Sequence, residues 1–273
     1  MKILVTGYKG FIGKNLLEEL KGTKEFEIDF IELEDFYTDE STSIKNLNDL
    51  LDEKSPDFIF HVGACSDTLE SRVNYMMILN YESTKIICDW SKKNGAKVIY
   101  SSSAASYGTN EEFPSNLYGW SKYAGEGYVI SNGGVALRYF NVYGPGEENK
   151  GKMSSVAYQS YLKKKNGEDV KLFPGNPRRD FIYVKDIVAA NIYAMQNFEN
   201  VSGDWYDVGS DKARTFEDVL ECVGINDFDY VDPKNIPVGY QFYTKSKKWM
   251  PGWGPKYSLE EGLKDYVKYL KNE

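Results

Sequence analysis

Short apolar runs alternate with helical stretches along the first two-thirds of the chain, a rhythm that predicts a parallel sheet wound with helices. Lys2–Thr6 reads as a buried strand, followed by a helix over Phe11–Leu20 with Phe11, Leu16, Leu17 and Leu20 on one face. Further strands are predicted at Ile28–Leu33, Asp57–Val62, Lys97–Ser101 and Gly134–Phe140. Helical patterns lie between them at Ser43–Leu51, Leu69–Lys93 and Tyr118–Ser131. The strands are nearly continuous in apolar residues, as expected where helices cover both faces of a sheet. Beyond Phe140 the rhythm changes. A loop over 141–149 leads to a helix at Met153–Lys165, then Asp180–Val184 reads as a strand returning to the sheet and Asp186–Asn197 as its helix. Short mixed elements surround Thr215–Val223. The final helix opens on Ser258 and Glu261 at capping-box spacing and aligns Leu259, Leu263, Tyr266, Val267 and Leu270 on one face.

Composition narrows the function classes. A chain of 273 residues, 41% hydrophobic and 27% charged, is long enough for a large core and is balanced like a globular protein. Its net charge of −8 is opposite in sign to the basic stripe of a nucleic-acid binder. No apolar run reaches the length of a membrane span. The first residues turn into a glycine loop before a secretion signal could form, which points to the cytoplasm. One histidine excludes mechanisms that need two imidazoles. Three cysteines, far apart and odd in number, form neither a metal site nor a disulfide framework, so no metal is expected.

Two local motifs carry chemistry. Gly7-Tyr-Lys-Gly10-Phe-Ile-Gly13 follows the first strand and opens the first helix. Such a loop allows a tight turn and close approach of backbone to a pyrophosphate at a helix N-terminus. Glu32 ends the second strand, about 20 residues further on, where an acid binds ribose hydroxyls. The surrounding Glu34, Asp35, Asp39 and Glu40, with no cation from Glu32 to Lys45, favour NAD over NADP. Tyr118 and Lys122 stand at i and i+4, on one helix face. A nearby ammonium is expected to pull the Tyr118 hydroxyl down toward neutrality, suiting it to exchange a proton with an alcohol. Tyr81 and Lys85 share that spacing, but only Tyr118 follows a strand ending in Ser101-Ser102-Ser103.

Together the glycine loop, Asn80, Ser103, the Tyr118–Lys122 pair and the stretch Arg179–Asp186 resemble the extended short-chain dehydrogenase/reductase family over essentially the whole chain. The passages from His61 to Thr68, Tyr100 to Gly108, Arg138 to Pro145, Lys150 to Ala157, Lys171 to Gly175 and Gly239 to Thr244 resemble its ADP-heptose epimerase branch. The resemblance implies a seven-stranded Rossmann sheet formed by 1–141, 182–210 and 241–257. It also implies a smaller, discontinuous substrate domain formed by 142–181, 211–240 and 258–273. A nucleotide-diphosphate sugar is implied as substrate, oxidised transiently to a ketone and re-reduced with tightly held NADP; a homo-oligomer is implied too. Tyr118 and Lys150 would be the two acid/base groups, Ser103 the partner of the reacting oxygen and Lys122 the holder of the nicotinamide ribose. Phe11, Ile12, Gly63, Ala64, Cys65, Ser66, Asn80 and Val142 would line the cofactor, with Gly7, Gly10, Gly13 and Glu32. Asn141, Lys152, Gln159, Phe173, Gly175, Arg179 and Tyr240 would meet the sugar nucleotide, Arg179 offering a planar fork to phosphate.

The chain departs from the branch in four places. Lys152 and Gln159 replace a short hydroxyl residue and a histidine, Leu79 replaces a polar cofactor contact, and the segment from Gly108 to Tyr118 is short. Two other readings stay open: a 4-epimerase or dehydratase acting on a UDP, GDP or dTDP sugar, and a cofactor-binding sensor without catalysis. Ala104 and Ala105 after Ser103 disfavour a dehydratase, which places an acid there. Retention of Tyr118, Lys122, Ser103 and Lys150 together disfavours the sensor.

Overall fold

The computed structural model describes residues 1–23, 25–36, 46–109, 112–236 and 240–272. The first half runs β1 (Lys2–Thr6), α1 (Phe11–Thr23), β2 (Glu27–Ile31), α2 (Leu47–Lys54), β3 (Phe58–His61), α3 (Val73–Met77), α4 (Ser83–Asn94), β4 (Lys97–Ser103), α5 (Leu117–Ser131) and β5 (Val135–Tyr139). The second half runs β6 (Asn141–Tyr143), α6 (Val156–Lys165), β7 (Lys171–Leu172), β8 (Arg178–Tyr183), α7 (Val184–Gln196), α8 (Phe198–Val201), β9 (Asp204–Val208), β10 (Ala213–Thr215), α9 (Phe216–Cys222), β11 (Asp229–Tyr230) and α10 (Leu259–Asn272).

Among the described residues the main sheet has six strands in the order β2-β1-β3-β4-β5-β9, all parallel. Alternate side chains of one strand leave on opposite faces, and β1 shows what that does to the core. Ile3 and Val5 pack with Leu16, Leu20, Ile187 and Ala190 of α1 and α7 on one side. Leu4 packs with Leu51, Ile87 and Val129 of α2, α4 and α5 on the other. Full burial stabilises each such side chain by about 1.5–3 kcal/mol, which is why the strands carry apolar residues on both faces.

The expected seventh strand is absent among the described residues, and Asp180–Val184 does not return to the main sheet. As β8 it pairs instead with β6 and β10 in a separate three-stranded sheet. The main-sheet edge beside β5 is taken by β9, whose Tyr206 and Val208 are buried. A second core of Tyr143, Phe181, Tyr183, Val219, Leu263 and Tyr266 lies under the small sheet, beneath α9 and α10. The Ser258–Glu261 capping box forms as expected, each side chain accepting from the other's backbone N–H.

Several helix boundaries differ from expectation: α1 runs on to Thr23, α6 begins at Val156 rather than Met153, and α7 at Val184 rather than Asp186. Residues 43–45 of the helix expected over Ser43–Leu51 lie outside the described residues, and α2 runs to Lys54. The long helix begins at Val73 rather than Leu69, because side chains cap a turn before it. Asp67 accepts from the Leu69 N–H at 2.8 Å and Glu70 from the Arg72 N–H at 2.8 Å, local bonds that compete with helix. Between α3 and α4 the helix widens into a π-turn over Ile78–Glu82. That turn buries Asn80, which is 1% exposed.

Residues 240–248 form a strap across the small sheet. The Arg178 N–H donates to the Phe242 carbonyl at 2.8 Å and the Thr244 N–H to the Arg178 carbonyl at 3.1 Å. Two buried carboxylates pin the strap. Asp180 accepts from the N–H and hydroxyl of both Ser210 and Ser246. Asp207 accepts from the N–H groups of Lys247 and Lys248 and from the Tyr107 hydroxyl.

Candidate active site

The strand order reverses at β1, whose neighbours β2 and β3 lie on its two sides. In an open α/β sheet the crevice at the carboxyl ends beside such a point receives the ligand. Gly7 sits there at φ +71°, and a Cβ on it would lie 2.4 Å from the Gly63 Cα. A Cβ on Gly13 would lie 2.1 Å from the Gly7 carbonyl oxygen. The fold itself therefore demands glycine at both positions. Gly10 differs: the nearest atom to its Cβ would be the Gly7 oxygen at 3.3 Å. Its missing side chain leaves a cradle that the protein's own packing does not fill. Glu32 is 8% exposed, and its Oε1 accepts from the Lys9 N–H at 2.5 Å, leaving Oε2 for a further donor. Burial raises its carboxyl above the usual range. Cradle and acid fit a dinucleotide. Lys9 is a cation beside Glu32 that the charge pattern following Glu32 does not reveal, because it precedes the acid in sequence and meets it only through the turn.

The β3 exit supplies the opposite wall. Gly63 and Cys65 are buried, Ala64 is half-buried and Ser66 exposed. Asn80, expected as a cofactor contact, is engaged by protein. Its Oδ1 accepts from the Cys65 N–H at 2.7 Å, and its Nδ2 donates to the Cys65 carbonyl and to Ser121 Oγ, both at 2.9 Å. Ser121 in turn donates to the Tyr118 carbonyl at 2.7 Å. A second chain of bonds starts at the Gly63 N–H, which donates to Thr6 Oγ1; Thr6 reaches His61 Nδ1 at 3.0 Å. His61 Nε2 meets Thr84 Oγ1 at 2.8 Å, and Thr84 donates to the Asn80 carbonyl. With Thr84's proton so committed, Nε2 carries the imidazole proton and Nδ1 accepts from Thr6. Burial, and secondarily Lys122, pushes His61 down to about 3, so the ring is neutral.

Tyr118 and Lys122 share the inner face of α5, and Ser103 ends β4 beside them. The Ser103 hydroxyl lies beside the Tyr118 hydroxyl and accepts from the Ala105 N–H at 3.2 Å. Burial raises Tyr118, and Ser103 only partly offsets it. The expected lowering by Lys122 does not occur. The Lys122 ammonium lies over the Tyr100 ring, 4.2 Å from its centroid, and is itself brought down to about 7 by burial, against the pull of Glu126. Sequence reasoning missed Glu126, which stands i+4 from Lys122. Glu126 is held by Arg138 and by Ser102 Oγ at 2.7 Å, while Arg138 lies 3.7 Å from the Trp205 ring centroid. Each partner sits on a different element, so no local spacing reveals the pair.

Lys150 approaches from the glycine-loop side. Its loop docks on α1 through Asn15, which donates to the Pro145 carbonyl at 2.8 Å. The ammonium stands 5.4 Å from the Phe11 ring centroid, and burial lowers it, opposed by Glu147. Ile12 and Val142 are half-buried nearby and pack against both cores.

On the small-sheet side Arg179, Phe173, Gly175 and Tyr240 come together. Arg179 is 6% exposed, its guanidinium 5.0 Å from the Tyr240 ring, which meets the Phe173 ring edge-on at 5.0 Å. Gly175, at φ +92°, lies against Phe242. Among the described residues no carboxylate reaches Arg179. Asn141 Oδ1 faces Thr244 Oγ1 on the strap at 3.3 Å. Lys152 is exposed, and Gln159 turns its amide onto the carbonyls of Lys152 and Ser154 at 3.1 and 2.7 Å. Gly239 lies outside the described residues.

The profile of the NAD dependent epimerase/dehydratase family matches residues 3–209. The chain belongs to that family. It is thus an enzyme of NAD-dependent chemistry built on a Rossmann-type fold. The "ADP-L-glycero-D-manno-heptose-6-epimerase" of Brachyspira hyodysenteriae is 32% identical over 312 aligned positions, covering 98% of each chain. The aligned length exceeds the 273 residues here, so that relative carries insertions this family member lacks. A crystal structure of the Helicobacter pylori protein of the same name superposes with a TM-score of 0.86 at 28% identity, covering 100% of this chain and 96% of that one. UDP-glucose 4-epimerase from Thermotoga maritima, solved with UDP-glucose, gives 0.84 at 25% identity, covering 100% and 99%. No helix among the described residues is long and apolar enough to cross a membrane.

Proposed function

We propose that this family member is a nucleotide-diphosphate-sugar epimerase acting as an ADP-glycero-manno-heptose 6-epimerase. The observation that carries the substrate class is Arg179. A buried cation without a carboxylate partner is costly, and a diphosphate would supply the missing charge through a bidentate fork. Tyr240, Phe173 and Phe242 offer flat apolar surface beside it for a base or sugar. The similarity to the heptose epimerases narrows the sugar.

The dinucleotide would be held by Gly7, Gly10, Gly13, Glu32, the Gly63–Ser66 turn, Lys122 and Val142. When bound, it supplies a reversible two-electron acceptor for the substrate carbon. The protein's own part is proton movement and orientation. Tyr118 takes the proton of the sugar hydroxyl and returns it, with Ser103 holding the oxygen in line. Lys150 does the same from the glycine-loop side, so the carbon can be restored with either configuration. Asn80 positions rather than touches, locking the Cys65 turn to the backbone of Tyr118. Glu32, with one carboxylate oxygen open, supports NAD over NADP, and Lys9 is the group that would accommodate a 2′-phosphate. We assign the dinucleotide-binding part to the main sheet and the substrate part to the small sheet, a division that the separate core beneath each supports.

A second reading, a 4-epimerase of another sugar nucleotide, draws on Gln159, whose amide is turned into its own loop. Proton NMR of the C6 configuration during incubation with ADP-D-glycero-D-manno-heptose distinguishes them. Approach to a mixture of two C6 epimers, with no net cofactor consumption, is the expected result. An unchanged spectrum from protein with dinucleotide bound would refute the heptose assignment.

A further inference from the structure

The segment from Gly144 to Ser155 carries Lys150, and one side chain closes it. Glu147 is fully buried. Its Oε1 accepts from the Gly144 N–H at 3.2 Å and the Ser155 hydroxyl at 2.8 Å, and its Oε2 from the Ser155 N–H at 2.5 Å. The carboxylate thus ties the two ends of the loop together. The Lys150 N–H donates to the Glu147 carbonyl at 3.0 Å, so the lysine hangs from the same residue. Among the described residues no cation pairs with Glu147 within ion-pair distance, Lys150 included.

We propose that Glu147 is a positioning residue that holds the Lys150 amine at the site and governs when it releases its proton. A direct ion pair would lock that proton in place; a buried carboxylate satisfied by loop dipoles supplies attraction without capture. The other groups facing the pair are few. Phe11 of α1 covers the ammonium. Tyr266 of α10 is buried against the carboxylate without a well-formed hydrogen bond to it, and Tyr158 of α6 lies behind Tyr266. Glu148 and Lys152 belong to the loop itself, Glu148 accepting from the Gly146 N–H at 3.2 Å. Glu147 is the charge that favours the ammonium, against burial. The inference rests on the reading of Lys150 as the second acid/base group.

The test is competitive acylation by acetic anhydride across pH, with the Lys150 peptide quantified by mass spectrometry in intact wild-type protein and variants. Glu147→Gln removes the charge and should make Lys150 react roughly five-fold faster near neutral pH, because free amine is the reactive form. Ser155→Ala removes one loop bond and a helix cap but keeps the charge; it should lower Tm and leave the labelling rate unchanged. Wild-type labelling in Glu147→Gln, or Ser155→Ala labelling as fast as Glu147→Gln, would overturn the proposal. Should Glu147→Gln fail to fold, Glu147→Asp keeps the charge on a shorter arm and should label like wild type; fast labelling there also overturns it. Turnover of Lys150→Met separates the two claims. Normal epimerisation by that variant removes the assigned role of Lys150, whereas its loss beside unaltered Glu147→Gln labelling removes only the role of Glu147.

Discussion

At the scale of single residues, the site is made of groups whose burial opposes their charge. Tyr118→Phe should retain dinucleotide binding and lose turnover by about 10²–10⁴-fold, since only the proton-carrying hydroxyl goes; binding by fluorescence titration and epimerisation by NMR check the two halves. His61 gives a pH signature. Its folded value of about 3 lies below the ordinary 6.5, so between those values the unfolded chain binds the extra proton. Stability from this group is therefore present above pH 6.5 and lost as pH falls toward 3. As the single histidine, it should account for a loss in Tm between pH 6.5 and 5 whose slope disappears in His61→Gln. Tyr118, Lys122 and Ser103 were legible because helix periodicity and a strand end place them. The neutral state of His61 and the Glu126–Arg138 pair were not, because both depend on partners brought in by other elements. Breaking that pair with Glu126→Ala should cost about 3–5 kcal/mol through the uncompensated Arg138, measurable by denaturant unfolding.

At the scale of elements, the glycine loop separates folding from binding. Gly10→Ala should fold with near-native Tm yet weaken dinucleotide binding by at least about ten-fold, because its cradle faces ligand rather than protein. Gly13→Ala drives a methyl into the Gly7 carbonyl and should lose about 1–3 kcal/mol as well as binding. Calorimetry and cofactor titration of the two variants read this contrast. The loop, the helix of Tyr118 and the last helix were visible from spacing and caps alone. The fate of Asp180–Val184 was not: an apolar strand looks the same whichever sheet it joins, and the pairing partners Asn141–Tyr143 and Ala213–Thr215 are too short to announce themselves.

At the scale of the molecule, buried carboxylates tie the strap and the small sheet to the main sheet. Asp180 joins β8 to Ser210 and Ser246, and Asp207 joins β9 to the end of the strap. Hydrogen bonds to charged groups contribute about 1.5–3 kcal/mol each. Asp180→Ala should therefore lower stability by several times 1 kcal/mol and raise KM, since the strap that presents Tyr240 is no longer held; unfolding curves and steady-state kinetics test it. Nothing in the local sequence around Ser246 marks it as a partner of Asp180, 66 positions away.

The π-turn at Ile78–Glu82 bears on how such a chain can change over generations. A widened turn accommodates one residue more than a regular helix, so a single-codon deletion there could leave the flanking turns and the sheet intact. It would nonetheless rotate Asn80 away from the Cys65 turn, uncoupling that wall from Tyr118. Length at this one point is thus silent for folding and decisive for the chemistry, a place where a lineage could part with catalysis in one step while keeping its architecture.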